Sequence, residues 1–276
     1  MLNPYLDVVI AAIIWGSAGV FIKYLNLPIT TITFFRVFIP AIILLLFFAA
    51  KKTNVFKKIN RIIMLASLLD TIAFFFYFIS YTYTSIANSL IILFTWPIFA
   101  ALFSAVILKE KIAKRNLILL GISFVGIALV YSNETISFTN KDFIGMSSML
   151  VSAVFYSLSM VLYKKTSENY SNFELVFYQN MIGAVVFLPV LFISRPFPTP
   201  QQSAVVIFYA VLVGIIGYAL FFSALKRIKA STASFLSYIE IISGITFGIL
   251  FFNEAVKTNV VIGGILIIIS TVLLKK

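Results

Sequence analysis

Ten apolar runs, separated by short polar breaks, occupy most of this 276-residue chain. They fall at residues 5–22, 31–50, 62–82, 87–108, 115–132, 143–163, 173–194, 203–225, 231–251 and 257–274. A bilayer has a hydrocarbon core about 30 Å thick, which a helix of about 20 apolar residues can cross. A transmembrane β-barrel would instead show short segments of alternating hydrophobicity. The runs therefore predict an all-α integral membrane protein with ten transmembrane helices, which we number span 1 to span 10 in chain order.

An internal repeat relates the two halves of the chain. The segment 86–112 returns at 230–256, an offset of 144 positions. Few residues are identical, but both copies run from small polar residues through about twenty apolar residues to a closing glutamate. We therefore predict two five-helix repeats, 1–136 and 137–276, with the join inside 132–141.

The basic residues are distributed asymmetrically. The net charge is +12, and sixteen of the 21 lysines and arginines fall on one side when the spans are threaded with a cytoplasmic N-terminus. The exceptions are Lys23, Lys141, Arg195, Lys257 and the intraspan Arg36. Since cytoplasmic loops are rich in lysine and arginine, both termini are predicted to be cytoplasmic. Five spans per half also make the second half an inverted copy of the first. The charge thus indicates a lipid bilayer as partner, and no nucleic acid.

The sequence lacks residues that several classes of protein need for their activity. There is no cysteine and no histidine, which removes thiolate nucleophiles and the commonest metal ligand. No GxxxxGK[ST] loop is present to bind ATP. Asp70 is the one aspartate far from the ends of the predicted spans, whereas an intramembrane protease needs two such residues, or HExxH. We therefore expect that the protein is not an enzyme and that it binds no cofactor and no metal ion. An ion channel with an acidic ring remains an alternative.

Two acidic residues lie deep in the predicted spans. Asp70 and Glu240 each lie ~13 Å from the same cytoplasmic face. An ionised acid at this depth costs at least ~2.5 kcal/mol, so each must face a cavity, meet a cation or be protonated. The alternative for each is an interhelical hydrogen bond. Arg36 lies near the outer end of span 2. Its charge either serves coupling or substrate binding, or its side chain extends outward to the membrane interface. Glu110 and Glu254 close their spans and are interpreted as structural, each favouring the N-terminus of the next helix.

Aromatic and polar side chains near the midplane are the candidates for contact with a solute. Trp15 lies ~15 Å deep, too deep for the interfacial aromatic belt. Pro97, beside Trp96, predicts a kink in span 4 because proline removes a backbone hydrogen bond. The candidate substrate-binding residues are Trp15, Tyr77, Trp96, Tyr156, Gln179, Tyr218 and Tyr238.

These features resemble the drug/metabolite transporter superfamily, specifically its EamA-type members. The resemblance rests on the inverted ten-span pattern, on Trp15-Gly16-Ser17 with Lys23, and on the span endings ILKEKI and FFNEAV. It implies that spans 1–4 and 6–9 surround a central cavity, which Trp15 and its counterpart Tyr156 would reach, while spans 5 and 10 lie outside. The chain departs from the usual pattern in lacking tryptophan at position 156 and in carrying Glu240.

The resemblance implies a secondary transporter that exports an amino acid or related metabolite. We expect the protein to be a monomer or a homodimer. Family members that take up choline, purines or S-adenosylmethionine keep other substrates open. For a zwitterionic or neutral solute, a buried acid is best explained as a proton carrier. For an organic cation such as choline, Asp70 or Glu240 would instead supply the counter-charge, with aromatic rings offering cation–π faces.

Overall fold

The computed structural model describes residues 3–107, 109, 114–166, 169–193, 196–225, 227–228 and 236–274. Within these ranges the backbone forms helices joined by turns and loops. The helices are, for span 1, Pro4–Gly16 and Ala18–Leu25; span 2, Ile29–Ala50; span 3, Arg61–Tyr83; span 4, Ile86–Leu93 and Trp96–Ile107; span 5, Lys114–Tyr131; span 6, Lys141–Thr166; span 7, Asn172–Phe187 and Val190–Ile193; span 8, Pro200–Val211, the π-helix Leu212–Gly217 and Tyr218–Leu225; span 9, Ile239–Phe252; and span 10, Thr258–Leu274.

The predicted all-α membrane fold is confirmed. Seven helical segments in the described ranges are long and apolar enough to cross a bilayer, and spans 5, 9 and 10 contain shorter apolar helices. The first part of the predicted span 9, residues 231–235, lies outside the described residues, as do Glu110 and Arg195. The short basic helix Val55–Lys58 connects spans 2 and 3.

The packing of the spans follows an approximate twofold relation between the halves. Span 2 packs against span 7, span 4 against span 9 and span 5 against span 10, so each of these spans meets its own counterpart. The contacts of span 1 with spans 8 and 9 are matched by those of span 6 with spans 3 and 4. A twofold arrangement of this kind is what an inverted repeat produces. It places the boundary between the halves in the middle of the bundle.

Several spans are interrupted near the middle of the bundle. Span 1 breaks at Ser17, whose hydroxyl donates to the carbonyl of Ile14 at 2.6 Å. Span 4 breaks at Thr95, whose hydroxyl donates to the carbonyl of Ile92 at 2.7 Å. Pro97 follows in the first turn of the next helix, where its missing N–H leaves no bond unmade. Span 8 is interrupted by a π-helical segment, a feature that often occurs at functional sites.

Spans 1 and 9 approach each other at backbone distance. A Cβ atom on Gly16 would lie 2.8 Å from the carbonyl oxygen of Glu240, and one on Gly244 would lie 3.1 Å from the carbonyl of Gly16. Glycine is therefore required at both positions for the helices to pack this closely, as at many membrane helix interfaces. This contact brings the start of span 9 against the middle of span 1.

Candidate substrate cavity

A cavity of about 310 Å³ lies between the two halves of the protein. Its walls come from spans 1, 2, 3, 4, 6, 8 and 9, and span 7 supplies none of the described lining residues. Spans 5 and 10, which pack against each other, also contribute no described lining residue. Six of the seven candidate substrate-binding residues line it, together with two charged ones: Trp15, Tyr77, Trp96, Tyr156, Tyr218, Tyr238, Arg36 and Glu240.

Aromatic clusters form two parts of the wall. The ring of Trp15 lies 5.1 Å from the rings of both Tyr218 and Phe221, measured between centroids. Gly217 leaves room for this indole, because a Cβ there would lie 2.7 Å from Nε1 of Trp15. On another wall Tyr156 packs edge-on against Trp96, with 5.4 Å between centroids.

A ring pair joins the halves beside the break in span 4 and the start of the span 9 helix. Phe94 and Tyr238 are 144 positions apart, the offset of the repeat, and their ring centroids lie 5.1 Å apart. Trp96 and Glu240 are related by the same offset and also line the cavity. Sequence reasoning missed Phe94, although its alignment with Tyr238 in the repeat was a signal that could have found it.

Glu240 faces the cavity as a buried acid. It is 8% exposed and lies in the first turn of span 9, where the positive end of the helix dipole favours a negative charge. Within the described ranges its carboxylate has no hydrogen-bond or ion-pair partner, so it is available to a solute or a proton. The aromatic rings of Trp96 and Tyr238 line the same cavity.

Arg36 also faces the cavity, so an outward-snorkelling side chain is wrong. The residue is 1% exposed. Its guanidinium donates to Oδ1 of Asn180 at 2.9 Å and lies 3.9 Å from the centroid of the Phe74 ring. A hydrogen bond and a cation–π contact therefore hold the side chain inside the bundle. Sequence reasoning missed both Asn180 and Phe74 as partners of Arg36.

Asp70 and Gln179 lie outside the cavity wall. Asp70 is fully buried and accepts a hydrogen bond from the side-chain amide of Gln179, which ties span 3 to span 7. Ser159 of span 6 lies beside the same carboxyl group. This arrangement is the interhelical hydrogen bond that the sequence left open for Asp70. The two deep acids therefore have different surroundings despite their equal depth.

Two ion pairs hold the opposite ends of span 1. Near its C-terminal end, Lys23 contacts Oε1 of Glu254 at 2.7 Å, and Oε2 of Glu254 accepts the backbone N–H of Ile86 at 2.7 Å. Glu254 therefore caps the start of span 4, and the expectation that it would favour the next helix, span 10, is wrong. Near the N-terminal end, Asp7 pairs with Arg227, which follows span 8.

In the part of the chain that the structure describes, no three acidic residues, histidines or cysteines cluster as metal ligands would. The residues gathered in the cavity can therefore act by hydrogen bonding, charge pairing and aromatic contact. Chemically, this suits reversible binding of a small solute that is both apolar and charged.

Comparisons with known proteins agree on one family. The sequence model of the EamA-like transporter family matches residues 3–132 and again residues 143–275. The chain is 28% identical to an uncharacterized transporter of Clostridium kluyveri over 70% of this chain and 64% of that protein. It is 22% identical to the pseudopaline exporter CntI of Pseudomonas aeruginosa over 91% of this chain and 87% of that protein. It is 24% identical to the S-adenosylmethionine uptake transporter of Rickettsia prowazekii over 90% of this chain and 84% of that protein.

Proposed function

The chain belongs to the EamA-like transporter family, and from that premise we propose that it moves a small amino-acid-like metabolite across the cell membrane by secondary active transport. The observation that carries this proposal is a cavity built by both halves, into which Glu240 faces with a carboxylate that has no partner among the described residues. A site between inverted repeats is where transporters of this architecture bind their solutes.

The chemistry of the cavity favours a solute with both apolar and charged parts. The rings of Trp15, Trp96 and Tyr218 supply apolar and cation–π surface. Glu240 supplies a negative charge and Arg36 a positive one. A zwitterion bearing an apolar side chain matches all three features, whereas a purely apolar compound would offer no partner to these two buried charges.

The two ion pairs on span 1 support alternating access. The pair of Lys23 with Glu254 ties one end of span 1 to span 9, and the pair of Asp7 with Arg227 ties the other end to the segment after span 8. Spans 1, 8 and 9 all line the cavity. Opening either end to the solute therefore requires one of these pairs to separate, while the breaks in spans 1, 4 and 8 give the helices places to bend.

Export with proton exchange at Glu240 is the direction and coupling that we propose. A carboxylate in the cavity can release a proton when the solute's ammonium group arrives and regain it when the solute leaves. The named relatives include one exporter and one uptake transporter, so direction varies among similar chains. Both termini are proposed to be cytoplasmic because of the distribution of lysine and arginine.

An organic cation is the second candidate solute. Glu240 and the surrounding rings resemble a site for an amine, in which the carboxylate stays ionised and the rings add cation–π contacts. Arg36 counts against this reading, because a second positive charge in the same cavity repels a cation that has no anionic group.

A binding screen followed by counterflow tests the proposal. Purified protein is first heated with amino acids, amines and nucleobases, because a solute at 100 times its dissociation constant stabilises the folded state by about 2.7 kcal/mol. Solutes that raise the Tm are then measured by counterflow in proteoliposomes. We expect amino acids or their derivatives to stabilise the protein and to exchange. Stabilisation and counterflow by amines alone would favour the organic-cation reading, and counterflow by no compound in the screen would contradict the proposal.

A further inference from the structure

Arg36 lines the cavity, and most of its N–H donors have no acceptor in the part of the chain that the structure describes. A guanidinium has five N–H donors and no acceptor. Within the described part of the chain one of them has a hydrogen-bond acceptor, the side-chain oxygen of Asn180. The residue is nevertheless 1% exposed, so bulk water does not complete its bonds. A buried cation of this kind is costly until an acceptor completes its shell.

The surroundings of Arg36 fix the direction of its side chain. The face of the guanidinium rests on Phe74 at 3.9 Å, and Asn180 holds one edge. The amide of Asn180 is itself oriented, because its nitrogen donates to the carbonyl of Val176 at 2.7 Å. Since the orientation is set before any solute arrives, binding an anion there loses little side-chain entropy.

Asp70 supplies an internal counter-charge without closing the site. It interacts electrostatically with Arg36, but none of the ion pairs found among the described residues joins the two. Its carboxylate accepts the amide of Gln179 instead. Asp70 therefore offsets part of the buried positive charge from behind the wall and leaves the N–H donors of Arg36 to the cavity.

We propose that Arg36 forms a carboxylate-binding subsite of the cavity, with Asn180 and Phe74 as its positioning residues. A planar carboxylate can accept two parallel N–H groups from a guanidinium, which no lysine at this position could offer. The physiological role of the subsite rests on the proposed function. In that role, Arg36 of span 2 binds the anionic end of the metabolite. The binding chemistry itself can be measured without knowing the metabolite.

A matched pair of probes measures the subsite directly. The probes are 3-phenylpropionate and its neutral amide, which share ring and length and differ in charge. Trp15 and Trp96 are the two tryptophans of the chain and both line the cavity, so their fluorescence reports binding. We expect the carboxylate to bind more tightly than the amide. Arg36→Gln should weaken the carboxylate roughly 10- to 100-fold, the range for a lost charge-assisted hydrogen bond, and leave the amide unchanged.

Control variants distinguish two roles of Arg36, which are binding of the carboxylate probe and neutralisation of the charge of Asp70. Arg115→Gln removes an exposed arginine whose bond is to the backbone of Leu273, and it should leave both affinities unchanged. If Arg36 served only to balance Asp70, the double variant Arg36→Gln/Asp70→Asn would regain the wild-type carboxylate affinity. The proposal predicts no recovery, because the carboxylate of the probe still lacks its donors. Unchanged amide binding shows that each variant has kept its folded cavity.

The outcomes distinguish this proposal from the proposed function. Equal affinity for carboxylate and amide, no fluorescence response to the carboxylate, recovery in the double variant, or an unchanged carboxylate affinity in Arg36→Gln overturns the subsite. Carboxylate binding that depends on Arg36, without counterflow of any metabolite, leaves the subsite in place and removes the transport function. Amino-acid counterflow that is unchanged in Arg36→Gln removes the subsite and leaves the function.

Discussion

The substitution Glu254→Gln should open one end of the cavity. Glu254 joins three spans there, because its two oxygens contact Lys23 of span 1 and the first N–H of span 4 while the residue itself follows span 9. Glutamine keeps a hydrogen-bond acceptor but removes the negative charge. The closed arrangement of this end therefore loses an ion pair that an open arrangement does not contain.

The size of the effect follows from the burial of the pair. The side chains of Lys23 and Glu254 are 23% and 10% exposed, which places the pair between a surface ion pair, worth at most about 1 kcal/mol, and a buried one, whose disruption costs about 3 to 5 kcal/mol. We expect a loss of about 1 to 2 kcal/mol from the closed state. The ratio of open to closed molecules should then rise about 5- to 30-fold.

Labelling of a single cysteine measures this ratio. The chain has no cysteine of its own, so Ala73→Cys gives a reporter without background, at a position of the cavity wall in span 3 that is 2% exposed. In proteoliposomes, Glu254→Gln should speed labelling by a membrane-impermeant maleimide by the same factor. The matched control is Glu134→Gln, which breaks the 2.5 Å pair with Lys257 between the segments that follow spans 5 and 9. Unchanged labelling in Glu254→Gln, or equal acceleration in Glu134→Gln, would refute the reasoning.

Two further substitutions test the same account. Asp7→Asn removes the pair with Arg227 at the other end of span 1, so labelling of Ala73→Cys should slow, and faster labelling would show that the two pairs do not oppose each other. Gly16→Ala places a methyl group 2.8 Å from a backbone oxygen of span 9, an overpacking that costs about 1 to 3 kcal/mol. It should lower the Tm by several degrees, whereas Gly121→Ala, with nothing within 4 Å of the added carbon, should not, and equal Tm values for the two variants would contradict the close packing of spans 1 and 9.

The fold was predictable because the bilayer constrains it strongly. The length of each apolar run, the charge asymmetry and the repeat are properties of the sequence that need no tertiary contacts. The break in span 4 was predictable from Pro97. The π-helical segment of span 8 was not, because Gly214 and Gly217 permit many backbone arrangements, and the contacts that select this one, with Pro40 and Trp15, come from other spans.

The sequence predicts how deep each charged residue of the site lies in the membrane, but not to which side of its helix the side chain points. Sequence position places Asp70 and Glu240 at one depth, since a helix rises 1.5 Å per residue. It does not say which way each points, because a span that is apolar on every side shows no face. Asp70 consequently lies behind the wall and Glu240 within it. Arg36 was ambiguous for a related reason, because its long side chain can reach either the interface or the interior, and Asn180 and Phe74 decide between them.

The measurement that tests the central claim most directly uses Glu240→Gln in proteoliposomes. It compares accumulation of the solute driven by a pH gradient with counterflow of the same solute. The claim is that a solute crosses through the cavity in exchange for a proton carried by Glu240. The variant should still bind and exchange the solute, although more weakly than the wild type, because the glutamine oxygen can accept a hydrogen bond from the solute's ammonium group but carries no negative charge. It should lose accumulation driven by a pH gradient, because the glutamine amide does not carry the proton. Loss of binding and counterflow together would assign Glu240 to the recognition of an organic cation. Wild-type accumulation in Glu240→Gln and in Asp70→Asn would contradict proton coupling at either acid.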